Sequence, residues 1–137
     1  MKKNLSPNDL LSPFSFQVFG NSLNMTFIFE KLVVYQESIN LAEKISKLTE
    51  EFPRGSYYLS DQLNRAVASI ALNIAEGNGR YHKNDRSNFF YIARGSVHEC
   101  VPLFELACRK GLIAADAKAE LFEKLETIAK MISGLIK

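Results

Sequence analysis

The chain is short of the residues that build disulfide frameworks, metal centres and nucleophilic catalytic sites. It has only two cysteines and two histidines in 137 residues. Cys100 and Cys108 fall in one predicted helix, about 12 Å apart along its axis, which is too far for a disulfide bond. His82 and His98 lack the i, i+4 spacing of a helical zinc pair, and no nucleophile-elbow pattern is present. We therefore expect no cofactor, no metal ion and no enzymatic activity.

Long apolar runs and a strong charge of either sign are also missing. The chain carries 17 Lys and Arg against 15 Asp and Glu, for a formal net charge of +2. Its 23% of charged and 47% of hydrophobic residues exclude global disorder. No stretch is long and apolar enough to span a bilayer. We expect a cytoplasmic protein with no membrane association, whose small charge neither requires nor excludes nucleic acid.

The first 24 residues differ in composition from the rest of the chain. They hold two of the four prolines and show no helical periodicity. Pro7 and Pro13 interrupt the apolar stretch that a signal peptide would need. We predict that residues 1–24 form an arm, flexible or weakly docked, before a helical domain at residues 25–137. An alternative is that Met25 is the natural start of the protein.

Four segments after this arm repeat apolar residues every three or four positions, which predicts amphipathic helices. The predicted helices span residues 29–51, 59–76, 85–110 and 115–136. Pro53 should stop the first helix, and Gly77 and Gly79 should end the second in the left-handed region. No strand pattern is present, and short connections make neighbouring helices antiparallel. The predicted fold class is all-α, an antiparallel up-down-up-down four-helix bundle.

The third predicted helix is apolar on more than one face. One set of apolar positions contains Ile92, Ala93, Cys100 and Ala107, and a second contains Phe90, Val97, Val101 and Phe104. A helix of this kind needs partners on two sides. We therefore expect the bundle to assemble as a homo-oligomer.

Residues 77–98 form a locally basic segment. Asp85 is its one acid, and its four bases are Arg80, Lys83, Arg86 and Arg94. Aromatic residues are interleaved with these bases, namely Tyr81, Phe89, Phe90 and Tyr91. Such a combination can hold phosphates and stack bases, so we predict that the four basic residues bind RNA or DNA. The alternative is a solvated basic surface, with Phe89 and Phe90 in the core.

The most specific pattern is the run RAVASIALNIAEG at residues 65–77. It is followed by Gly79-Arg80, and further runs are YIARGS at residues 91–96 and MISGLI at residues 131–136. Together these runs resemble the 23S rRNA intervening-sequence proteins, also called S23 ribosomal proteins, over about residues 28–137. The resemblance implies a homopentamer of small helical bundles. It also implies distant kinship with the accessory proteins of diversity-generating retroelements, which bind a reverse transcriptase and nucleic acid.

Three hypotheses about function follow. The first is an oligomeric factor that binds nucleic acid or accompanies a nucleic-acid enzyme such as a reverse transcriptase. The second is an oligomeric protein–protein interaction scaffold without a nucleic-acid role. The third is an enzyme, which the scarcity of catalytic residue patterns disfavours.

The residues of the RAVASIALNIAEG and YIARGS runs are predicted to fix how the second and third helices pack. If the chain turns near residue 82, Arg65 faces Glu99 and forms an ion pair, and Ser69 faces Gly95. The missing side chain of Gly95 should let the helices approach closely. The full predicted structural set is Arg65, Ser69, Asn73, Glu76, Gly77, Gly95, Ser96 and Glu99. The alternative is that these residues line a ligand site.

Overall fold

The computed structural model describes residues 27–137, and all regular structure in that range is helical. The four α-helices are α1 (Val33–Thr49), α2 (Tyr57–Asn78), α3 (Lys83–Arg109) and α4 (Ala115–Ile136). Two 3-10 helices, Ile28–Lys31 and Arg54–Ser56, complete the described elements. The predicted all-α class with four helices is confirmed. None of the helices described here is long and apolar enough to cross a membrane.

The chain divides into two compact units between Glu30 and Lys31. In the first unit the structure describes only residues 27–30, where the ring centroids of Phe27 and Phe29 lie 5.7 Å apart. The second unit holds the four α-helices. The predicted arm at residues 1–24 and the alternative start at Met25 lie outside the described residues.

Helix α1 begins four residues later than the sequence predicts. Leu32 adopts an extended backbone conformation, with φ −72° and ψ 126°, between the first 3-10 helix and Val33. Apolar residues continue at helical spacing across this break, so their periodicity does not reveal it. At the other end α1 stops at Thr49, and Pro53, with ψ 157°, leads into the second 3-10 helix. This termination agrees with the predicted effect of Pro53.

Helix α2 is two residues longer at each end than predicted, and its glycines do not end it as expected. Gly77 lies inside α2, and Gly79, directly after the helix, has an ordinary right-handed backbone with φ −80°. The predicted left-handed termination is therefore wrong. Within residues 27–137 the glycine with positive φ is Gly111, at +76°, just beyond α3. A residue without a Cβ adopts that conformation at little steric cost.

The four helices surround one hydrophobic core. Helix α1 contacts α2 and α4, and α3 contacts the same two helices, so each helix borders two neighbours. Fully buried side chains come from every helix and include Leu41, Ile45, Leu63, Ile70, Ile74, Phe104, Leu121, Leu125, Ile128 and Ile132. Burial of one such side chain stabilises the fold by about 1.5–3 kcal/mol. This core fixes the helices whose outer faces carry the candidate site.

The core takes up residues from both apolar sets predicted for α3, which lie on one continuous face of the helix. The buried side is a stripe at spacings of three and four residues, made of Phe90, Ala93, Val97, Cys100, Phe104 and Ala107. Ile92, which is 47% exposed, and Val101, which is 38% exposed, flank this stripe on its two edges. Pro102 is exposed, and α3 continues through it without interruption. The single chain therefore leaves apolar side chains of α3 exposed on both edges of the buried stripe.

Candidate nucleic-acid interface

Three of the four predicted basic residues lie together where α2 connects to α3. The connection spans only residues 79–82. Arg80 belongs to it, Lys83 is the first residue of α3, and Arg86 follows one turn later. All three residues are exposed. We call residues 80–86 the basic tip.

Arg80 is held in place by two contacts. Its Nη2 donates a hydrogen bond of 2.5 Å to Glu76 Oε2, four residues earlier on α2. Its guanidinium carbon lies 4.6 Å from the centroid of the Phe89 ring. The two charged side chains are 43% and 51% exposed, so water screens their ion pair, which contributes at most about 1 kcal/mol. The contacts orient the guanidinium group, and Glu76 offsets part of its charge.

Lys83 and Arg86 differ from Arg80 in having no hydrogen-bonded acid within residues 27–137. Neither side chain forms an ion pair with any residue of the described part of the chain. Asp85 is exposed between them and is the nearest acid in sequence. Within the basic tip, these two cations are therefore more available than Arg80 to a phosphate from outside the chain.

The aromatic residues of the basic segment separate into core and surface. Phe90 is buried, and Phe89 is half-buried next to the guanidinium group of Arg80. Tyr81, in contrast, is 91% exposed. Its ring meets the ring of His82 in a T-shaped arrangement, with centroids 5.1 Å apart. The core interpretation is thus confirmed for Phe90, while Tyr81 is a surface residue of the basic tip.

Arg94 lies apart from the basic tip. It is eleven residues beyond Lys83, which is about 16 Å along α3. Its Nη1 donates a 3.0 Å hydrogen bond to Ser133 Oγ on α4, and its guanidinium carbon lies 5.2 Å from the Tyr91 ring centroid. There it lines a groove of about 450 Å³ with His98, Glu126, Ala129 and Lys130. The structure therefore brings together three of the four predicted basic residues.

A chain of hydrogen bonds links α2 to α3. Asn73 Nδ2 donates to Ser69 Oγ at 3.0 Å, the Ser69 and Ser96 hydroxyls lie 2.8 Å apart, and Ser96 Oγ donates to the Ile92 carbonyl at 3.2 Å. Each hydroxyl can donate once and accept once along this chain. The residue that meets Ser69 is Ser96, one position from the predicted Gly95. These polar residues hold the two helices in register.

The close approach of α2 and α3 occurs at Gly77, whereas the sequence predicted it at Gly95. A Cβ atom added to Gly95 would meet nothing within 4 Å, and Gly95 is exposed. A Cβ atom on Gly77 would lie 2.7 Å from Phe90 Cε1 and 3.0 Å from Phe89 Cβ. The predicted role of Gly95 within the chain is therefore wrong, because Gly95 lies on the solvent-facing side of α3 while its neighbour Ser96 faces α2.

The predicted ion pair between Arg65 and Glu99 is absent. Both residues are exposed, and no Arg65 nitrogen lies within 4.0 Å of the Glu99 carboxylate. Ser69 and Ser96, one turn nearer to the basic tip, point into the junction of the two helices. Arg65 and Glu99 instead lie on outward-facing positions, so the α2–α3 junction does not depend on their charges.

A cluster that the sequence analysis missed joins α3 to α4 near their connection. Glu105 accepts a 2.8 Å hydrogen bond from Lys118 Nζ through Oε1 and another of 2.8 Å from Arg109 Nε through Oε2. These bonds lower the pKa of Glu105 and raise the pKa values of Lys118 and Arg109. The i, i+4 spacing of Glu105 and Arg109 was visible in the sequence. The contact with Lys118 depends on helix packing, which spacing does not report.

The remaining titratable groups give little basis for covalent or metal chemistry. Burial, and next the charge of Glu99, raises the pKa of Cys100 to about 12, so this thiol is protonated at neutral pH and poorly nucleophilic. No group of three His, Cys, Asp or Glu residues within residues 27–137 is placed to hold a metal ion. The described surface offers charged and aromatic groups for binding.

Comparison with known proteins agrees with this architecture. No curated protein matches the chain. A crystal structure of a protein with unknown function from the S23 ribosomal protein family of Bacteroides thetaiotaomicron VPI-5482 is similar, with a TM-score of 0.70 and 25% sequence identity. The similarity covers 77% of this chain and 99% of that chain. The family model described as 23S rRNA-intervening sequence protein matches residues 30–134, which is most of the sequence. On this evidence the chain belongs to the 23S rRNA-intervening sequence protein family.

Proposed function

We propose that this protein is a non-enzymatic, cytoplasmic homo-oligomer that binds RNA or DNA through its basic tip. The carrying observation is that Arg80, Lys83 and Arg86 are exposed in the same short segment as the exposed side chain of Tyr81. Cations neutralise phosphates and release their counterions, while an aromatic ring offers a face to a base. The basic tip holds both kinds of group within one short segment.

A single tip is a weak site, because Glu76 and Asp85 offset two of its three positive charges. An oligomer presents several tips to one strand. Once one tip is bound, the others bind intramolecularly, and the overall affinity rises without any new contact. We infer a homopentamer, as the family resemblance implies. Self-association is therefore part of the binding mechanism that we propose.

Exposed apolar side chains on α2 and α3 support self-association. Leu72 is 68% exposed and Ile92 is 47% exposed. Leu72 lies one turn after Ser69, and Ile92 lies one turn before Ser96. The Ser69–Ser96 contact therefore places Leu72 and Ile92 at a similar height along the two helices. Gly95 is exposed beside Ile92, and a neighbouring helix can approach closely where a side chain is missing. Burial of this surface against a second copy would remove the apolar groups from water.

We further propose an antiparallel up-down-up-down arrangement of neighbouring helices. Ser69 meets Ser96, and Gly77 meets Phe90, so residue numbers rise along α2 as they fall along α3. The contacts between α3 and α4 follow the same rule, since Arg94 meets Ser133 and Glu105 meets Lys118. Short connections between the helices require the same topology.

A triple charge reversal tests the nucleic-acid role. Changing Arg80, Lys83 and Arg86 together to Glu should weaken binding of a fluorescein-labelled RNA or DNA by at least about 10-fold at 50 mM salt, because phosphate contacts carry the affinity. The matched control reverses three exposed lysines elsewhere, Lys44, Lys110 and Lys137, and changes the net charge equally. Circular dichroism checks that both variants are folded. Equal losses of affinity in the two variants would show that the basic tip has no specific role in binding RNA or DNA.

The second candidate function is an oligomeric protein–protein interaction scaffold, and the exposed pair Leu72 and Ile92 is the observation that favours it. The partner in this case would be a protein, such as a reverse transcriptase, docked on the part of the apolar surface that contacts between copies leave open. An oligomer that binds neither RNA nor DNA at 50 mM salt would favour this scaffold role over the first.

A further inference from the structure

We propose that the basic tip binds single-stranded nucleic acid in preference to duplexes, with Tyr81 as the residue on which a base stacks. This inference rests on the proposed nucleic-acid role and specifies its substrate class. It comes from the placement of Tyr81, which the structure separates from the other aromatic residues of the segment.

The side chain of Tyr81 is almost fully accessible to solvent. At 91% exposure it is the most exposed large hydrophobic residue of residues 27–137, and it lies in the four-residue connection between α2 and α3. Its T-shaped contact with His82, at an interplanar angle of 79°, can cover only one of its two faces. At least one face is therefore open to a planar ligand.

Basic residues flank Tyr81 in the amino-acid sequence. Arg80 precedes Tyr81 directly, and Lys83 follows two residues later. The guanidinium group of Arg80 is already oriented by Glu76 and Phe89, so little further ordering is needed before it meets a phosphate. A base stacked on Tyr81 would bring the phosphates on its two sides toward these cations.

A duplex cannot use this arrangement well. Its base faces are already stacked on one another, and a base must leave the stack before it can lie on an aromatic side chain. A single strand offers base faces without that cost, and stacking is tolerant of sequence because every base has such a face. The tip therefore favours single strands through Tyr81 and holds any nucleic acid through its charges.

The test compares a 20-nucleotide single-stranded RNA with the duplex of the same sequence by fluorescence anisotropy. The wild type should bind the single strand at least about 10-fold more tightly. Tyr81→Ala should weaken single-strand binding about 10-fold and leave duplex binding unchanged, and Tyr81→Phe should bind as the wild type does. Tyr57→Ala removes another exposed tyrosine, 73% exposed at the start of α2, and serves as the matched control.

Salt dependence separates stacking from charge. The Tyr81→Ala variant should keep the wild-type slope of affinity against salt, since the ring carries no charge. Equal affinity for single strand and duplex, or unchanged binding by Tyr81→Ala, would overturn the stacking role while the loss caused by charge reversal at the tip still supports the proposed function. A wild type that binds neither nucleic acid at 50 mM salt would overturn both.

Discussion

Gly77 and Gly95 are both glycines inside helices, but they have opposite surroundings. Gly77 is buried against the ring of Phe90, and Phe90 is itself buried, so the ring cannot move away freely. Gly95 faces open space in the single chain. Gly77 therefore allows α2 and α3 to pack closely, whereas Gly95 leaves the backbone of α3 exposed.

Because of this contrast, replacement of each glycine by alanine should change the free energy of unfolding in opposite directions. Gly77→Ala should lower the free energy of unfolding by about 1 kcal/mol net, because overpacking costs about 1–3 kcal/mol and better helix propensity returns about 1. Gly95→Ala should raise it by up to about 1 kcal/mol, since only the propensity changes. Urea unfolding by circular dichroism measures both. A stabilised Gly77→Ala variant would contradict the packing seen at Phe90.

At the scale of single residues, the sequence predicted which residues form the α2–α3 junction better than it predicted which way each side chain points. The serines at positions 69 and 96 meet, as a polar junction between α2 and α3 requires. Arg65 and Glu99 do not meet, because contact across a helix pair depends on the rotation of each helix about its own axis. A small rotation turns a facing pair outward, and apolar spacing fixes that rotation only roughly. The exposure of Tyr81 likewise depends on the path of the α2–α3 connection.

At the scale of elements, Glu105 connects α3 to α4 and should make stability depend on pH. Hydrogen bonds from Lys118 first and Arg109 second lower the pKa of Glu105 below its ordinary value of 4.5 in the folded protein. The stabilisation is therefore present above the ordinary pKa and is lost as the pH falls through the lowered pKa. The melting temperature of Glu105→Gln should be below that of the wild type at pH 7, and the difference should shrink as the pH falls below 4.5 and through the lowered pKa.

The exposed residue Glu120 provides the control for this pH dependence. It makes no ion pair within the described part of the chain, so Glu120→Gln should differ little from the wild type at pH 7 or at pH 3. A gap between wild type and Glu105→Gln that stays constant from pH 7 to pH 3 would show that the carboxylate does not stabilise the contact of α3 with α4.

The helices differ in how well their sequences define them. Helix α4 spans Ala115–Ile136 as predicted, because its apolar residues follow one seam and it starts directly after a loop. Helix α3 agrees within two residues at its start and one at its end. Helix α1 starts late because Leu32 breaks the helix while the apolar pattern continues. The apolar periodicity thus identifies each helix well, but it does not detect a single residue with an extended backbone at a helix start.

At the scale of the whole molecule, the exposed apolar side chains of Leu72 on α2 and Ile92 on α3 support the proposed self-association. Light scattering at micromolar concentration should give a mass near five times the 15.5 kDa of one chain. The double change Leu72→Glu and Ile92→Glu should dissociate the oligomer, because two charges cannot be buried there without partners. Ile39→Glu, at a 42% exposed position on α1, is the control and should leave the mass unchanged. A wild-type mass of one chain would contradict the proposed assembly.

The most direct test of the nucleic-acid role is the slope of log affinity against log salt concentration for a 20-nucleotide single-stranded RNA. Each phosphate neutralised on a single strand contributes about −0.7 to this slope, so three basic residues at one tip give about −2, and several engaged tips give more. We predict a slope of about −2 or steeper for the wild type and a slope near zero after reversal of Arg80, Lys83 and Arg86. A wild-type affinity that does not change with salt, or equal slopes in the two proteins, would contradict binding through the basic tip.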